Sequence, residues 1–472
     1  MIKRRRVEDK AAIAGEFVGA DLGDARLGLR LGAIVQRLVA APDVAFPRAL
    51  ATGADLEGFY RFLRNDAVTP EVLLTPHIDA TVSRLAQHRE ALAVHDTSEF
   101  RFGGSREDLG RLTKSGRGFL GHFTLAVSVD GRRDPLGTLA LHTWTRQETT
   151  PTALRKLGKL SSAEAIGVPN EQDRWWRSIE AAEAATGGST SLIHVMDSEA
   201  DDYDVMRKLV EARRRWVIRL CYDRALVGAA PRTLTRELVA QREVLCTRKV
   251  QLSRRERQPG GAKRKRTASR EQRLATLAIS AAAVKFRRPS YYTNGPEALA
   301  VNIVSVREID APMDAEPVEW LLITNEPIES EKDVLKIVDY YRGRWRIEEL
   351  FKALKTGCAF EKRQLESRQT LLNALALFVP IAWSLLRLRT AARDQEQVPA
   401  SEILDPDQIA VLRKAAETPL PARPTARDAM LAIARLGGHL RSNGDPGWQV
   451  LGRGYQDLLM MVAGYRLAMG KM

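Results

Sequence analysis

The sequence predicts a mixed α/β fold with helical regions at both ends of the chain. Between about residues 90 and 330, short apolar runs alternate with amphipathic helical segments, which is typical of a sheet covered by helices. At both termini, apolar residues recur at helical spacing instead. The chain has 472 residues, of which 44% are hydrophobic, so it is long enough for two or three domains with a sizeable core.

The N-terminal region, residues 1–70, is predicted to be a separate helical domain. The stretch LGDARLGLRLGAIVQRLVA carries an apolar stripe and places Arg26 and Arg30 off that stripe, one helical turn apart. LEGFYRFLRND predicts a second, short helix. We therefore expect the two arginines to project together from one helix.

The central region, residues 71–370, carries the alternation of strands and helices. ALAVHDTSEF is a short apolar run that ends in Asp96, and SLIHVMDSEAD is another that ends in Asp197. The runs GHFTLAVSVDG and PLGTLALHTWT are split by a turn, which predicts a hairpin. Residues 223–320 break the rhythm, so we predict a β-rich insertion with a mobile basic loop at Arg254–Arg270.

The C-terminal region, residues 371–472, is predicted to be helical. Its apolar run Leu371–Leu386 contains Asn373 and Pro380 and is shorter than the ~20 residues that a membrane span needs. We therefore expect a buried helix and no membrane partner. AMLAIARLGGHL and YQDLLMMVAGYRLAM each have an apolar face, and packing on the chain's own core and packing on a partner both remain open.

Charge and cysteine content indicate the class of partner and the compartment. Lys and Arg total 73 against 59 acidic residues, a net charge of +14, which favours a polyanionic partner such as nucleic acid. A merely basic cytosolic enzyme stays open. The three cysteines show no CxxC spacing, and no apolar stretch follows the basic start MIKRRRVEDK. Both observations favour the cytoplasm over secretion.

A group of carboxylates carries the chemistry. Asp96 and Asp197 are expected at strand ends, where ligands reach the edge of a sheet. In the helix YYRGRWRIEELFKALK, Tyr341, Arg344 and Glu348 share one face with Lys355, within about 60°. Hard Mg²⁺ prefers carboxylate oxygens, so two strand aspartates and a helix glutamate can hold divalent metal. The alternatives are helix-capping aspartates and a solvated face of ion pairs.

The spacing Tyr341-x2-Arg344-x3-Glu348-x6-Lys355 resembles the YREK signature of the IS-four-type family of bacterial DDE transposases. Further matches follow in order along nearly the whole chain: LGDARLGLRL, YRFLRN, HDTS, DSEAD, WLLITNEP and MLAIARLGG. Ser198 within DSEAD departs from the family pattern without touching the presumed catalytic positions.

The resemblance implies an RNase H-like catalytic core with a β-rich insertion, an N-terminal DNA-binding domain and a C-terminal dimerisation domain. It implies a nucleoid-associated bacterial enzyme that nicks double-stranded transposon ends, frees them through hairpins and joins the 3′ ends to target DNA. The implied cofactor is two Mg²⁺ ions, for which Mn²⁺ substitutes. The implied assembly is a homodimer on paired ends.

The resemblance also assigns roles residue by residue. Asp96, Asp197 and Glu348 are the implied catalytic metal ligands. The implied DNA contacts are Tyr341, Arg344 and Lys355 on phosphates, Trp320 under a flipped base, Arg219 near the active site, and Arg26 and Arg30 on the transposon ends. Each has a structural alternative, since a Trp that opens a strand is usually core and Arg219 could pair with a carboxylate. His95 and His142 are interpreted as hydrogen-bonded structural residues.

Three other functions stay open at this point. The first is a metal-dependent nuclease or resolvase on the same fold, without strand transfer. The second is an inactive DNA-binding protein derived from a transposase, against which the intact carboxylates argue. The third is a glycosidase with paired carboxylates, which the basic balance and the 6% of aromatic residues disfavour.

Overall fold

A computed structural model describes residues 13–470 with some gaps. The gaps are residues 41, 51, 105, 114, 147–170, 229–233, 253–270, 291, 293–294, 314, 395–397, 441 and 443. The predicted basic loop Arg254–Arg270 lies outside the described residues, as do residues 1–12.

The regular elements described in the N-terminal region are helices, as predicted. A single 3-10 turn at Ile13–Phe17 precedes helices α1 (Ala25–Ala40), α2 (Phe46–Ala49) and α3 (Gly53–Arg64). Helix α3 begins where the Thr52 hydroxyl accepts a hydrogen bond from the backbone N–H of Asp55. Helix α4 (Pro70–Leu85) then leads into the sheet.

Within the described residues, the sheet has ten strands and mixed direction. In chain order they are β1 (Glu90–Phe102), β2 (Gly110–Arg111), β3 (Arg117–Ser128), β4 (Pro135–Trp144), β5 (Ser191–Met196), β6 (Arg215–Arg219), β7 (Cys246–Leu252), β8 (Arg273–Arg287), β9 (Ala298–Ile309) and β10 (Glu319–Thr324). Their spatial order is β2-β3-β1-β5-β6-β10-β9-β8-β7, and β4 also pairs with β3 in the predicted hairpin. β5 lies parallel to β1 and β6, and the other pairings are antiparallel.

The strands of the predicted insertion extend the central sheet instead of forming a sheet of their own. β10 pairs antiparallel with β6 on one side and with β9 on the other. The reason is that β6 would otherwise present an edge of unpaired backbone groups, and the buried run at Leu321–Thr324 satisfies them. The region 223–320 thus contains the strands β7, β8 and β9, in line with its predicted β-rich character, and that it is an insertion stays a prediction.

Helices cover both faces of this sheet. Helices α5 (Asp173–Thr186) and α6 (Tyr203–Glu211) lie on one face, and α5 ends at Gly187, whose left-handed φ of 55° closes the helix. A short helix α7 (Thr235–Ala240) follows β6. Helix α8 (Glu331–Gly343) lies on the opposite face, against β1, β5 and β6.

The predicted continuous helix over 331–355 is interrupted twice. α8 ends at Gly343 and α9 spans Trp345–Lys352, although Arg344 between them keeps helical angles of −55° and −32°. Residues Ala353–Gly357 then form a π turn. A Cβ on Gly452 would lie 2.6 Å from the Gly357 carbonyl oxygen, so a C-terminal helix packs directly on this turn. Such π turns insert an extra residue and so rotate the later side chains away from the regular helical face.

The C-terminal helices belong to the same core as the sheet. They are α10 (Arg368–Asp394), α11 (Pro406–Ala415), α12 (Ala426–Leu436) and α13 (Trp448–Ala468). Within the described residues, the stretch Arg368–Arg393 alone is long and apolar enough for a membrane span, but 89% of its apolar window is buried inside the protein. This confirms the predicted buried helix.

Helix α10 also holds the N-terminal region in place. The Asn373 amide, fully buried, donates hydrogen bonds of 2.9 Å and 2.7 Å to the carbonyl oxygens of Leu63 and Val68. Such bonds at zero exposure fix the position of α3 relative to α10. The N-terminal helices are therefore packed against the C-terminal half of the chain.

Candidate active site

The strand register brings Asp96 and Asp197 to the same level of the sheet. The last parallel pair between β1 and β5 is Val94 with Val195, and each aspartate lies two residues beyond it. Asp197 follows the end of β5 as predicted. The prediction that Asp96 ends its strand is wrong, because antiparallel pairing with β3 keeps β1 extended to Phe102. Asp96 is still reachable, since its neighbour β5 stops there.

Both aspartates have one oxygen fixed by the backbone. Oδ1 of Asp96 accepts the N–H of Thr97 at 2.7 Å, and Oδ1 of Asp197 accepts the N–H of Glu199 at 2.9 Å. Burial, followed by the nearby charge of Asp197, raises the pKa of Asp96 to about 7 despite the opposing effect of Arg344. Burial also raises the pKa of Asp197. The pair is therefore an electrostatically costly arrangement that a cation would stabilise.

Arg344 lies between two of the three predicted metal ligands. Its Nη1 donates to Oδ2 of Asp96 at 3.0 Å, and its Nη2 donates to Oε1 of Glu348 at 2.5 Å. The Nε of Arg344 is buried without a hydrogen-bond partner. We call Asp96, Asp197, Glu348 and Arg344 the carboxylate site.

The chemistry of the carboxylate site fits a divalent metal. Among the residues that the structure describes, no three Asp, Glu, His or Cys side chains are already arranged around one ion position. Yet three carboxylates are hard oxygen donors of the kind that Mg²⁺ and Mn²⁺ prefer. Burial, followed by the charge of Asp197, raises the pKa of Asp96 more than Arg344 lowers it, so a bound cation would favour its charged form. Asp96, Asp197 and Glu348 are thus suitable ligands.

Beside this site, Trp320, Tyr341 and Arg219 lie together. The rings of Trp320 and Tyr341 meet edge to face with centroids 5.7 Å apart. Tyr341 is 2% exposed, and burial raises its pKa while a hydrogen bond from Arg219 opposes this. Arg219 also donates to the carbonyl oxygen of Glu319 at 3.4 Å. Trp320 is half-buried, so one part of it packs as core and the rest is accessible.

Lys355 lies farther along β1 than its predicted place beside Glu348. Its Nζ donates to the carbonyl oxygen of Glu99 at 2.5 Å and lies 5.2 Å from the centre of the Phe100 ring. The π turn explains the difference, because Lys355 falls within it and leaves the regular helical face.

Arg26 and Arg30 belong to a different surface. The Arg26 side chain is 90% exposed and pairs with its neighbour Asp24 at 3.1 Å. Arg30 is exposed too, with its guanidinium beside Gly58 of α3. Both are exposed on α1, one turn apart, as predicted.

The structure also shows residues that sequence reasoning passed over. Asp201, whose side chain is fully buried, accepts the backbone N–H groups of Cys221 and Tyr222 and pairs with Arg224 at 2.5 Å. It thereby fixes the loop that follows Arg219. As the second aspartate in the run DSEADD, Asp201 looks like an ordinary capping residue in the sequence.

A row of buried histidines lies behind the carboxylate site. Nε2 of His95 shares a hydrogen bond of 2.9 Å with Nδ1 of His194. The Thr124 hydroxyl forms a hydrogen bond of 3.0 Å with the other ring nitrogen of His95. His194 in turn bonds to Glu183 at 3.0 Å. Burial lowers the pKa of His95 far below its usual value, so it is neutral. His95 is a hydrogen-bonded structural residue, as the sequence indicated.

Two family models match this chain. Residues 9–68 match a transposase DNA-binding domain, and residues 167–379 match a transposase DDE domain. The second match includes Asp197 and Glu348, whereas Asp96 falls between the two matches. The mixed sheet flanked by helices fits an RNase H-like core.

Among solved structures, the chain is similar to the piggyBac transposase in its synaptic complex with hairpin DNA, determined by cryo-electron microscopy. The match covers 99% of this chain and 76% of that chain at 9% identity, with a TM-score of 0.32. Likeness at this level supports no conclusion by itself. The two domain matches and their order do: the chain belongs to the DDE transposases, enzymes that act on DNA and whose catalytic domain depends on divalent metal.

Proposed function

We propose that this transposase is of the IS-four type, related to the Tn-five transposase, and moves DNA by a cut-and-paste route. It nicks each terminal inverted repeat, frees the end through a hairpin and joins the 3′ ends to target DNA. The observation that carries the proposal is the convergence of Asp96 and Glu348 on Arg344, with Asp197 level with Asp96. Of the YREK residues, Arg344 contacts both Asp96 and Glu348.

Asp96, Asp197 and Glu348 would hold the divalent ions, two Mg²⁺ with Mn²⁺ as a substitute. Bound there, the metal would supply an activated oxygen nucleophile and charge stabilisation for phosphoryl transfer. Arg344 has a separate task, because its guanidinium balances carboxylate charge in the protein alone. We propose that it turns to the scissile phosphate when DNA is bound, since its planar donors suit phosphate oxygens.

Hairpin formation needs sharply bent DNA, and we propose that Trp320 stacks on an extruded base during that step. Its edge-to-face contact with Tyr341 fixes the orientation of the Trp320 ring beside the carboxylate site. Arg219 and Tyr341 would contact the phosphates next to that base, and Lys355 a phosphate farther along β1. The partial exposure of Trp320 supports this role over a purely structural one.

End recognition is proposed for α1, within the region that matches a DNA-binding domain. Arg26 and Arg30 are exposed there and one turn apart, so both can reach successive phosphates of one DNA groove.

We also propose that two copies act together on paired ends, in the bacterial cytoplasm on nucleoid DNA. Most apolar residues of the C-terminal helices are buried within the chain itself, including Met430, Ile433 and Leu458. Among the described residues, the exposed large apolar side chains of this region are Leu440 after α12 and those at the end of α13, where Met460, Leu467 and their neighbours are 42–63% exposed. This remaining apolar surface is the proposed dimer contact.

A strand-transfer assay tests the function. The purified chain is given DNA ends already cut at the terminal repeats that flank its gene, together with supercoiled target plasmid and Mg²⁺. A transposase joins the 3′ ends to the plasmid, whereas a nuclease or resolvase on the same fold only degrades or nicks it. Glu348→Gln serves as the inactive control. Absence of joined product with the intact chain, alongside efficient cleavage of uncut ends, would favour the nuclease.

A further inference from the structure

We propose that Arg174 is a positioning residue that sets the separation of Asp96 and Asp197. The proposal rests on the carboxylate site as the metal site. Arg174 lies in the first turn of α5, on the opposite face of the sheet from α8. Its side chain is only 10% exposed and stacks over the Trp175 ring at 5.0 Å and the Trp144 ring at 5.9 Å. It is therefore a largely buried cation held in one orientation.

The guanidinium of Arg174 bridges the two residues whose backbones fix the aspartates. Its Nε donates to Oγ1 of Thr97 at 3.1 Å, and its Nη2 donates to Oε2 of Glu199 at 3.0 Å. The N–H of Thr97 binds Oδ1 of Asp96, and the N–H of Glu199 binds Oδ1 of Asp197. One planar group thus links both carboxylates through equivalent pairs of contacts.

Arg174 makes this link at a point where backbone hydrogen bonds no longer join β1 to β5. Hydrogen-bonded pairing of β1 with β5 ends at Val94 and Val195, two residues before the aspartates. Beyond that point, side-chain contacts determine the distance between the two backbone segments that carry Asp96 and Asp197. Arg174 is itself anchored by Nη1 on the carbonyl oxygen of Glu171 at 2.6 Å, so it acts as a fixed spacer.

Arg174 and Arg344 differ in which atoms they bind. Arg344 binds Oδ2 of Asp96 directly, so it competes with a metal for that oxygen. Arg174 binds the residues next to the aspartates and leaves their outer oxygens free. Groups that orient ligands without touching the metal change metal affinity by roughly 10- to 100-fold when altered. That is the size of effect expected here.

The experiment compares Arg174→Lys with Arg177→Lys in the full chain. Arg177 lies on the same helix with its side chain exposed, and the change is chemically identical. Lysine keeps the charge but cannot reach Thr97 and Glu199 together. Binding of Mn²⁺ is measured by titration calorimetry without DNA, together with the unfolding temperature, end binding and cleavage over a range of Mn²⁺ concentrations.

We expect Arg174→Lys to weaken Mn²⁺ binding about tenfold or more, with end binding and unfolding temperature close to those of Arg177→Lys. Cleavage should recover at high Mn²⁺, because the ligands are present but poorly spaced. Glu199→Gln should show a smaller loss of the same kind. Unchanged Mn²⁺ affinity in Arg174→Lys would overturn the proposal, whether cleavage falls or not.

Asp197→Ala separates this result from failure of the metal site itself. If Asp197→Ala binds Mn²⁺ as tightly as the unaltered chain, the carboxylate site is wrong and the role of Arg174 falls with it. If Asp197→Ala loses Mn²⁺ binding and Arg174→Lys does not, only the role of Arg174 is wrong.

Discussion

The arginines of α1 and those around the carboxylate site are in opposite environments. Arg26 is 90% exposed and pairs with its neighbour Asp24, whereas the Arg344 side chain is 9% exposed and bridges two carboxylates. An exposed arginine can bind a DNA phosphate at once. A buried arginine must first break its present ion pairs, so its ability to bind phosphate depends on the charge of the carboxylates around it.

This difference supports the proposal that affinity and catalysis depend on separate sets of residues. Exposed cations add phosphate contacts that weaken with salt, whereas buried charges gain or lose several kcal/mol with a change of partner. Changes in α1 should therefore alter binding, and changes in the carboxylate site should alter chemistry.

The largest expected effect comes from removing a carboxylate. Asp96→Ala, Asp197→Ala or Glu348→Ala should each lower the cleavage rate by roughly a thousandfold or more, because metal stabilises several kcal/mol of transition-state charge. End binding should stay within a few fold, since it depends on many phosphate contacts. Gel-based cleavage and mobility shift on the same samples measure both, with Glu180→Ala on the exposed face of α5 as control. Substantial Mg²⁺-dependent cleavage by any of the three would remove that residue from the site.

Trp320→Ala should reduce hairpin formation by roughly ten- to a hundredfold and nicking much less. Stacking on an extruded base is worth about 1–3 kcal/mol, and only the hairpin step needs the base out of the helix. Trp320→Phe keeps a ring and should recover part of the loss. The two products are resolved on denaturing gels over time. An equal fall in nicking and hairpin formation would show that Trp320 acts as core.

Arg26→Ala with Arg30→Ala should weaken end binding and reduce the slope of log affinity against log salt by about 2, close to 0.9 for each lost phosphate contact. Cleavage at saturating protein should stay close to normal, which sharpens the separation between α1 and the carboxylate site. Arg413→Ala with Lys414→Ala, exposed on α11, removes the same charge elsewhere. A salt slope unchanged from that control would exclude α1 from the contact.

The smallest expected effect is a pH dependence of stability near the carboxylate site. Burial, followed by the charge of Arg174, lowers the pKa of His122 well below its ordinary value of 6.5. Below pH 6.5 the unfolded chain therefore binds a proton that the folded chain does not, so stability is full above pH 6.5 and falls as the pH drops below it. The loss approaches about 1.4 kcal/mol per pH unit for this residue.

Unfolding of the intact chain and of His122→Gln at pH 8 and pH 5.5 measures this effect. The variant should lose less stability than the intact chain over that range, and His88→Gln should behave like the intact chain. Identical slopes for His122→Gln and the intact chain would contradict the assignment.

The sequence was sufficient wherever one residue pattern reports on one element. The run before Asp197 ends a buried strand, and the helical spacing of Tyr341, Arg344 and Glu348 places them beside the strand aspartates. The sequence was insufficient where the form of an element depends on the segment that packs against it. Pairing with β3 extends β1 past Asp96, and close packing at Gly452 accompanies the π turn that displaces Lys355.

Contacts between segments far apart in the chain could not be predicted from the sequence, because they too depend on which segments pack together. Arg174 precedes Glu199 by 25 residues and follows Thr97 by 77, and no periodicity links the three. Its role depends on the fold that brings β1, β5 and α5 together. The domain boundaries near residues 70 and 370 stay predictions, since one apolar core contains residues from Ile13 to Val462.

The hydrogen bonds of Asn373 have a consequence for synthesis of the chain. They join residues that are 310 and 305 positions apart, so α3 cannot reach its final packing until α10 has left the ribosome. At about 5–20 residues per second, this delay is roughly 15–60 seconds. During that interval the N-terminal helices are present without their anchor, and the finished DNA-binding surface becomes available only when the catalytic half of the enzyme has been made.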